Sequence, residues 1–291
     1  MGAVARSETP SAENPTDQQA DPNAELGEPA CHSTNLVGLS TALLASTAFN
    51  ARPERLRIAG VREMNGSLFD MLDEAESLFE AGEAFNCYMM AMFGLDPEQR
   101  EPGKRGPRRY RSSFFRLLKG WGYDSNSPEG AVLKGWVESR FGLAPTFHKR
   151  VIDGAGPVWA AYVEEKMSSR FHNNAIYVQL DMLYEFCQWA LSRFAAPDRT
   201  HLTLYRGTNS FDEHQVVTKL DRRRRVVRIN NLASFTSDRD TAGCFGDVIL
   251  EIRVPTAKIA FFNALLPRHP LKGEGEYLVV GGDYVAEVRY D

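Results

Sequence analysis

Cysteine is scarce in this 291-residue chain: four residues, at positions 31, 87, 187 and 244, with no C-x-x-C pair among them. Such spacing excludes a zinc knuckle and a redox dithiol. A chain of this length can bury a core without a disulfide framework, so a reducing compartment is expected. Long apolar runs are missing too. None approaches the ~18 residues of a membrane-spanning helix, and no apolar segment follows a basic start, so neither membrane insertion nor a secretory signal is expected. The cytoplasm is the expected location. Nor is there an excess of base. The chain has 34 Lys and Arg against 38 Asp and Glu, a formal net charge of −4, which does not suit a general nucleic-acid coater.

Several chemical signatures are likewise absent. There is no P-loop, and Gly154-Ala155-Gly156 and Gly273-Glu274-Gly275 both lack the third glycine of a dinucleotide fingerprint. The histidines at 32, 148, 172, 201, 214 and 269 form no H-E-x-x-H and read as surface or packing residues rather than metal ligands. No G-x-S-x-G elbow offers a hydrolase nucleophile.

What is present divides in three. Residues 1–30 hold six acids, one base and four prolines, with almost no large apolar side chains. They cannot bury enough surface to offset their ordering entropy, and a disordered acidic tail is expected. Residues 31–198 read as helical. Leu68, Leu72, Ala75 and Phe79 make one helical stripe, with Gly82 and Gly94 as breaks after it. Ser127-Pro128-Glu129 is an N-cap followed by a first-turn proline and acid. Ile176, Leu180, Leu183, Cys187, Ala190 and Phe194 hold the 3.6-residue period over the strongest helix, at 173–194. From 199 to 291 the period falls to two, as in His201–Tyr205, Val248–Val254 and Tyr284–Arg289. Helices first and strands afterwards predict an α+β fold.

Three segments of the last third concentrate chemistry. In Leu202-Thr203-Leu204-Tyr205-Arg206-Gly207 a guanidinium at a strand end suits a phosphate, and Gly207 permits close approach of backbone. Ala233-Ser234-Phe235-Thr236-Ser237-Asp238 sets three hydroxyls around one aromatic. Lys272-Gly273-Glu274-Gly275-Glu276-Tyr277 carries two carboxylates at i and i+2 entering an apolar strand. Paired acids repel unless a cation or a shared task offsets the cost.

In this order the three segments resemble the Arg-Ser-Glu signature of mono-ADP-ribosyltransferases, in its arginine-directed Glu-x-Glu form. The longer wording of LTLYRGTN, NNLASFTSDRDTAGCFGDVILEIRVP and KGEGEYLVVGGDY, behind a helical half, is similar to the dinitrogenase reductase ADP-ribosyltransferase family over about 31–291. The resemblance implies a catalytic core of two small, roughly perpendicular sheets with the NAD cleft between them. It implies that Arg206 holds the NAD pyrophosphate, beside Gly207. It implies Glu276 as the catalytic glutamate and Glu274 as the acid facing the incoming arginine. Ser237 fits the serine position best, with Ser234 and Thr236 as alternatives. The implied acceptor is the nitrogenase iron protein, whose modification switches nitrogenase off, and the implied control is by a PII-type signalling protein. Other readings of the same residues are an NAD glycohydrolase, a transferase with another protein target, and a degenerate NAD- or protein-binding module.

The chemistry gives these residue types a reason. Loss of nicotinamide from a ribose C1 builds oxocarbenium-like charge, as in glycoside cleavage, and a carboxylate stabilises it. The nicotinamide leaves neutral, so no strong acid is needed. A guanidinium acceptor is protonated in water and needs a second carboxylate to orient and deprotonate it. Two basic runs remain: Arg100 to Arg116, with seven bases against Glu101, and Arg222-Arg223-Arg224-Arg225 with Arg228. Each is a solvated surface or a docking patch for an acidic protein. Neither has the stacking aromatics of a nucleic-acid reader.

Overall fold

The structure, a computed structural model, describes residues 35–95, 111–209, 214–268, 270–271 and 275–290. The acidic stretch 1–30, Glu274 and the part of the first basic run from Arg100 to Arg109 lie outside the described residues.

Helices come first: α1 (Thr41–Ala45), α2 (Thr47–Ala51), α3 (Val61–Met64), α4 (Gly66–Asp73), α5 (Leu78–Phe93), α6 (Phe114–Tyr123) and α7 (Pro128–Phe141). A two-residue hairpin follows, β1 (Phe147–His148) and β2 (Arg150–Val151), then α8 (Pro157–Lys166) and α9 (Ile176–Ala190), whose last turn widens to a π-helix over Leu191–Ala195. Serine starts five of these helices. Ser40, Ser46, Ser77, Ser113 and Ser127 each accept the orphan N–H three residues on, a cap that stabilises by about 1 kcal/mol. As the sequence predicts, Ser127 caps α7 with Pro128 at its first position. Gly142, at φ +74°, ends that helix in the left-handed region.

The strands follow: β3 (His201–Thr208), β4 (Gln215–Lys219), β5 (Arg224–Thr236), the short α10 (Arg239–Gly243), β6 (Val248–Pro255), β7 (Ile259–Phe262) and β8 (Glu276–Tyr290). All pair antiparallel, in the order β4-β5-β3-β6-β8-β7, and β5 also pairs with β8. The ring β5–β3–β6–β8–β5 is therefore closed, as in a barrel. This is a mixed α+β fold.

Midway along β5 the register with β8 shifts between Ile229 and Leu232. There Asn230 and Asn231 turn to the helices. The Asn231 side chain donates to the carbonyls of Lys134 (2.8 Å) and Leu143 (2.9 Å), and that of Asn230 donates to Phe147 O (2.9 Å). A bulge thus bolts the sheet to α7. On the other side α9 is tied to the turn before β7, with Tyr184 Oη donating to Ala257 O (2.8 Å) and Gln188 Nε2 to Ile259 O (2.8 Å). The apolar core runs unbroken from the helices into the strands. Buried acids on α9 are satisfied. Asp181 takes a bidentate Arg140 (2.7 and 2.8 Å), and Glu185 takes Arg62 Nε (2.6 Å) and Ile58 N (2.7 Å).

Two expectations fail. The stripe Leu68–Phe79 is not one helix: α4 stops at Asp73, and Phe79 is 67% exposed on α5. Arg193 from the π-turn donates to the carbonyls of Asp73 (2.9 Å) and Ala75 (3.3 Å), taking acceptors a continuing helix would use, while Ser77 begins the next one. Nor does Gly82 break a helix. It lies inside α5, where a Cβ would come within 2.8 Å of Pro267 Cδ and 3.2 Å of Leu265 O.

Candidate active site

The register of the ring brings the three segments together. Tyr205 of β3 pairs with Thr236 of β5, and Thr236 pairs with Glu276 of β8. Arg206, Ser234 and Glu276 therefore surround one place from three strands. They line a cleft of about 530 Å³, walled by Trp121 and Tyr123 at the end of α6 and by Thr241 and Phe245 at α10.

Hydrogen bonds join the three. The Ser234 hydroxyl donates to Glu276 Oε1 (2.8 Å), and the Ser234 carbonyl accepts from Arg206 Nη1 (2.8 Å). Arg206 Nε donates to Nε2 of His214 (2.7 Å), which is 1% exposed. A guanidinium cannot accept a hydrogen bond, so this contact assigns His214 as a neutral ring with its proton on Nδ1. From the helical side, Trp121 Nε1 donates to Ser234 Oγ (2.8 Å). Arg206 does not close its strand, since β3 runs on to Thr208.

The other proposed residues lie close by with different partners. Thr236 is buried, and its Oγ1 accepts from Asp238 N (3.1 Å). Ser237 is exposed on the turn after β5, where its N–H donates to Gly275 O (3.0 Å). Gly275 has φ +64°, and a Cβ there would overlap Ser237 Oγ. The chain is thus turned, not extended, as it enters β8. Gly207 lets two backbones approach: a Cβ would overlap the Ala242 carbonyl oxygen, so the glycine seats α10 against β3. Asp238 caps α10. The Thr241 hydroxyl and then the Asp240 N–H hold its carboxyl below the usual aspartate range. Among the described residues no cluster of His, Cys, Asp or Glu suits a metal, and no helix is long and apolar enough to cross a membrane.

Sequence reasoning missed Trp121 and His214. Trp121 sits in the stripe Phe114, Leu117, Leu118, Trp121, which reads as core, and all four are buried. His214 is one of six scattered histidines, and only the fold brings it to Arg206. No sequence signal separates either from a packing residue.

Comparison with known proteins bears on this geometry. The family model described as dinitrogenase reductase ADP-ribosyltransferase matches residues 34–288. A curated relative, the NAD(+)–dinitrogen-reductase ADP-D-ribosyltransferase of Rhodospirillum rubrum, is 65% identical over 263 residues, covering 89% of this chain and 95% of that protein. No solved structure matches the chain.

Proposed function

The chain belongs to the dinitrogenase reductase ADP-ribosyltransferase family, and from that premise we infer that the cleft at the ends of β3, β5 and β8 is where ADP-ribose is taken from NAD. The protein is an enzyme, a glycosyltransferase of pentosyl transfer that consumes NAD as substrate. Its acceptor is dinitrogenase reductase, the nitrogenase iron protein, whose ADP-ribosylation inactivates nitrogenase. The acceptor group is an arginine, as the Glu-x-Glu doublet suggests.

The carrying observation is the Ser234–Glu276 hydrogen bond, 2.8 Å long, in a cleft that also holds Arg206. Glu276 is the catalytic residue. Its carboxylate faces the ribose as the bond from C1 to nicotinamide breaks, and it offsets the growing positive charge. The nicotinamide takes the bonding pair and leaves neutral. Ser234 holds the carboxylate in place. Arg206, braced by His214 and the Ser234 carbonyl, presents positive charge to the NAD pyrophosphate, with Gly207 and Thr236 on the surrounding wall and Ser237 on the turn beyond it. Glu274, two residues before Glu276, orients the acceptor guanidinium and takes its proton, after which the nitrogen closes on C1.

The same reading divides the chain into a tail (1–30), a helical region (31–198) and a catalytic core (199–291). The core is two small, roughly perpendicular sheets, for which the bulge in β5 and the length of β5 and β8 speak. The cytoplasm is the proposed location. Control by a PII-type protein rests on the resemblance alone.

The test is to incubate the protein with labelled NAD and purified dinitrogenase reductase and to map the label. One arginine of the acceptor is expected to carry ADP-ribose. Glu276→Gln, which keeps volume and removes charge, should lose at least ~100-fold of both transfer and NAD hydrolysis. Release of free ADP-ribose with no labelled acceptor would make the protein a glycohydrolase instead. Near-normal turnover of the Gln variant would move the catalytic carboxylate elsewhere.

A further inference from the structure

We propose that Trp121 is a positioning residue for Glu276 and acts through Ser234; the proposal rests on the reading of the cleft as the NAD site. An indole N–H can only donate, and a serine hydroxyl has one proton and two lone pairs. With Trp121 Nε1 donating to Ser234 Oγ at 2.8 Å, the hydroxyl cannot turn its proton toward the indole. That proton is committed to Glu276 Oε1, also 2.8 Å away. The indole thereby closes one of the hydroxyl's three rotamers and favours the one that holds the carboxylate.

The helix carrying Trp121 is anchored at both ends. Phe114 N at its start donates to Gln179 Oε1 (3.0 Å), and Ser112 N just before it donates to Asn173 Oδ1 (2.9 Å). At its far end Trp121 is 3% exposed. A buried cation stands behind the ring: Lys134 Nζ lies 5.9 Å from the indole centroid, held by Asn126 Oδ1 (3.1 Å), Phe147 O (3.1 Å) and His148 Nδ1 (3.3 Å). A cation over the ring face draws electron density from the indole, which strengthens its N–H as a donor. The indole ring is part of the cleft wall, but its N–H is given to Ser234 and not to the cleft. It sets where the Glu276 carboxylate points, so the loss should fall on kcat rather than on NAD binding.

The experiment is a double-mutant cycle on the full-length protein, read as NAD hydrolysis. Trp121→Phe keeps a buried ring and removes the donor. Its kcat should fall about tenfold, with KM for NAD changed less than about twofold. In a Ser234→Ala background the same substitution should cost nothing further, because the group it acts through is gone. Additive losses, a loss carried by KM, or unchanged kcat would overturn the proposal. A second measurement does not depend on how well Trp121→Phe folds. Of the four indole N–H resonances of the chain, the one from Trp121 should move upfield and exchange faster in Ser234→Ala than in wild type. An unmoved resonance would sink the contact. If wild-type protein releases no nicotinamide from NAD, the functional reading fails and this inference with it. If wild type is active and Glu276→Gln is not, only the cycle decides the role of Trp121.

Discussion

Ser234 and Ser237 stand three positions apart in one polar stretch, and the end of β5 separates what they do. Ser234 lies within the strand, its hydroxyl on Glu276, while Ser237 lies past the strand with an exposed side chain. Ser234→Ala removes the hydroxyl that accepts from Trp121 and donates to Glu276 and takes that acceptor from a buried indole N–H, a cost of about 1–3 kcal/mol. It should lower both NAD hydrolysis and transfer about tenfold or more and lower the thermal midpoint. Ser237→Ala should stay within about twofold of wild type in the same assays. The opposite ranking would place the working hydroxyl on the turn. Glu274 and Glu276 should separate in a different way. Water needs no orientation or deprotonation of the kind a guanidinium needs, so Glu274→Gln should abolish transfer to protein yet keep much of the slow hydrolysis of NAD. Equal loss of both activities in a folded Glu274→Gln protein would remove that division of labour.

Between elements, the turns carry much of the burden. The 3₁₀ turn Thr256–Lys258 links β6 to β7 and buries Lys258 completely, with Nζ donating to Gly281 O (3.1 Å) and lying 4.9 Å from the centroid of the Tyr284 ring. Burial pulls the Lys258 pKa down to about 7, against a smaller opposing pull from Asp283. An unfolded lysine keeps its proton to about pH 10.4. Between these values the unfolded chain binds the extra proton, so stability rises with pH across that window. Below pH 7 both states are charged and the full penalty is present. The thermal midpoint should therefore climb from pH 7 to 9, and Lys258→Met should flatten the climb. A wild-type midpoint that is level or falling over that range would show that the lysine is charged inside the fold. The same scale explains the broken helix at 74–77. Period alone makes Leu68 to Phe79 continuous, but Arg193 reaches in from the π-turn 120 residues away to take the Asp73 carbonyl.

At the scale of the molecule, the cleft lies on the seam between the layers, with Trp121 and Tyr123 on the helical side and β3, β5 and β8 on the other. The two basic runs stand differently to it. Arg116 is on α6, the helix that ends in the cleft wall. Arg222 to Arg225 lie at the β4–β5 turn, at the opposite end of β5 from Thr236, about 40 Å along extended chain. Of that run Arg224 pairs with Asp221 (2.6 Å), and beyond it Arg228 pairs with Asp283 (2.7 Å). The expectation is therefore that the first run, of which Arg111 and Arg116 are described, serves a protein acceptor docked over the cleft. Exposed charges are screened beyond ~8–10 Å at moderate salt. Raising salt should therefore slow transfer to dinitrogenase reductase while leaving hydrolysis of NAD nearly unchanged. Parallel decline of both rates would tie the charges to the NAD site or to the fold.

What the sequence determined by itself is whatever is local. The serine caps, the period of α9 and the switch from 3.6 to 2 near residue 199 depend on neighbours a few positions apart, so helices, strands and the α+β class are legible in it. The Arg206, Glu276 and hydroxyl segments are legible too, because each carries its chemistry in a few adjacent residues. Tertiary structure decided what depends on distant partners. The pairing of Thr236 with both Tyr205 and Glu276 sets Ser234, not Ser237, against the carboxylate. Only the packing of α6 on β5 brings an indole 113 residues away to that serine. A buried tryptophan and a buried histidine look like core in any pattern of hydrophobicity. What distinguishes Trp121 and His214 is the direction of one N–H and the position of one ring nitrogen, and the folded chain alone sets these.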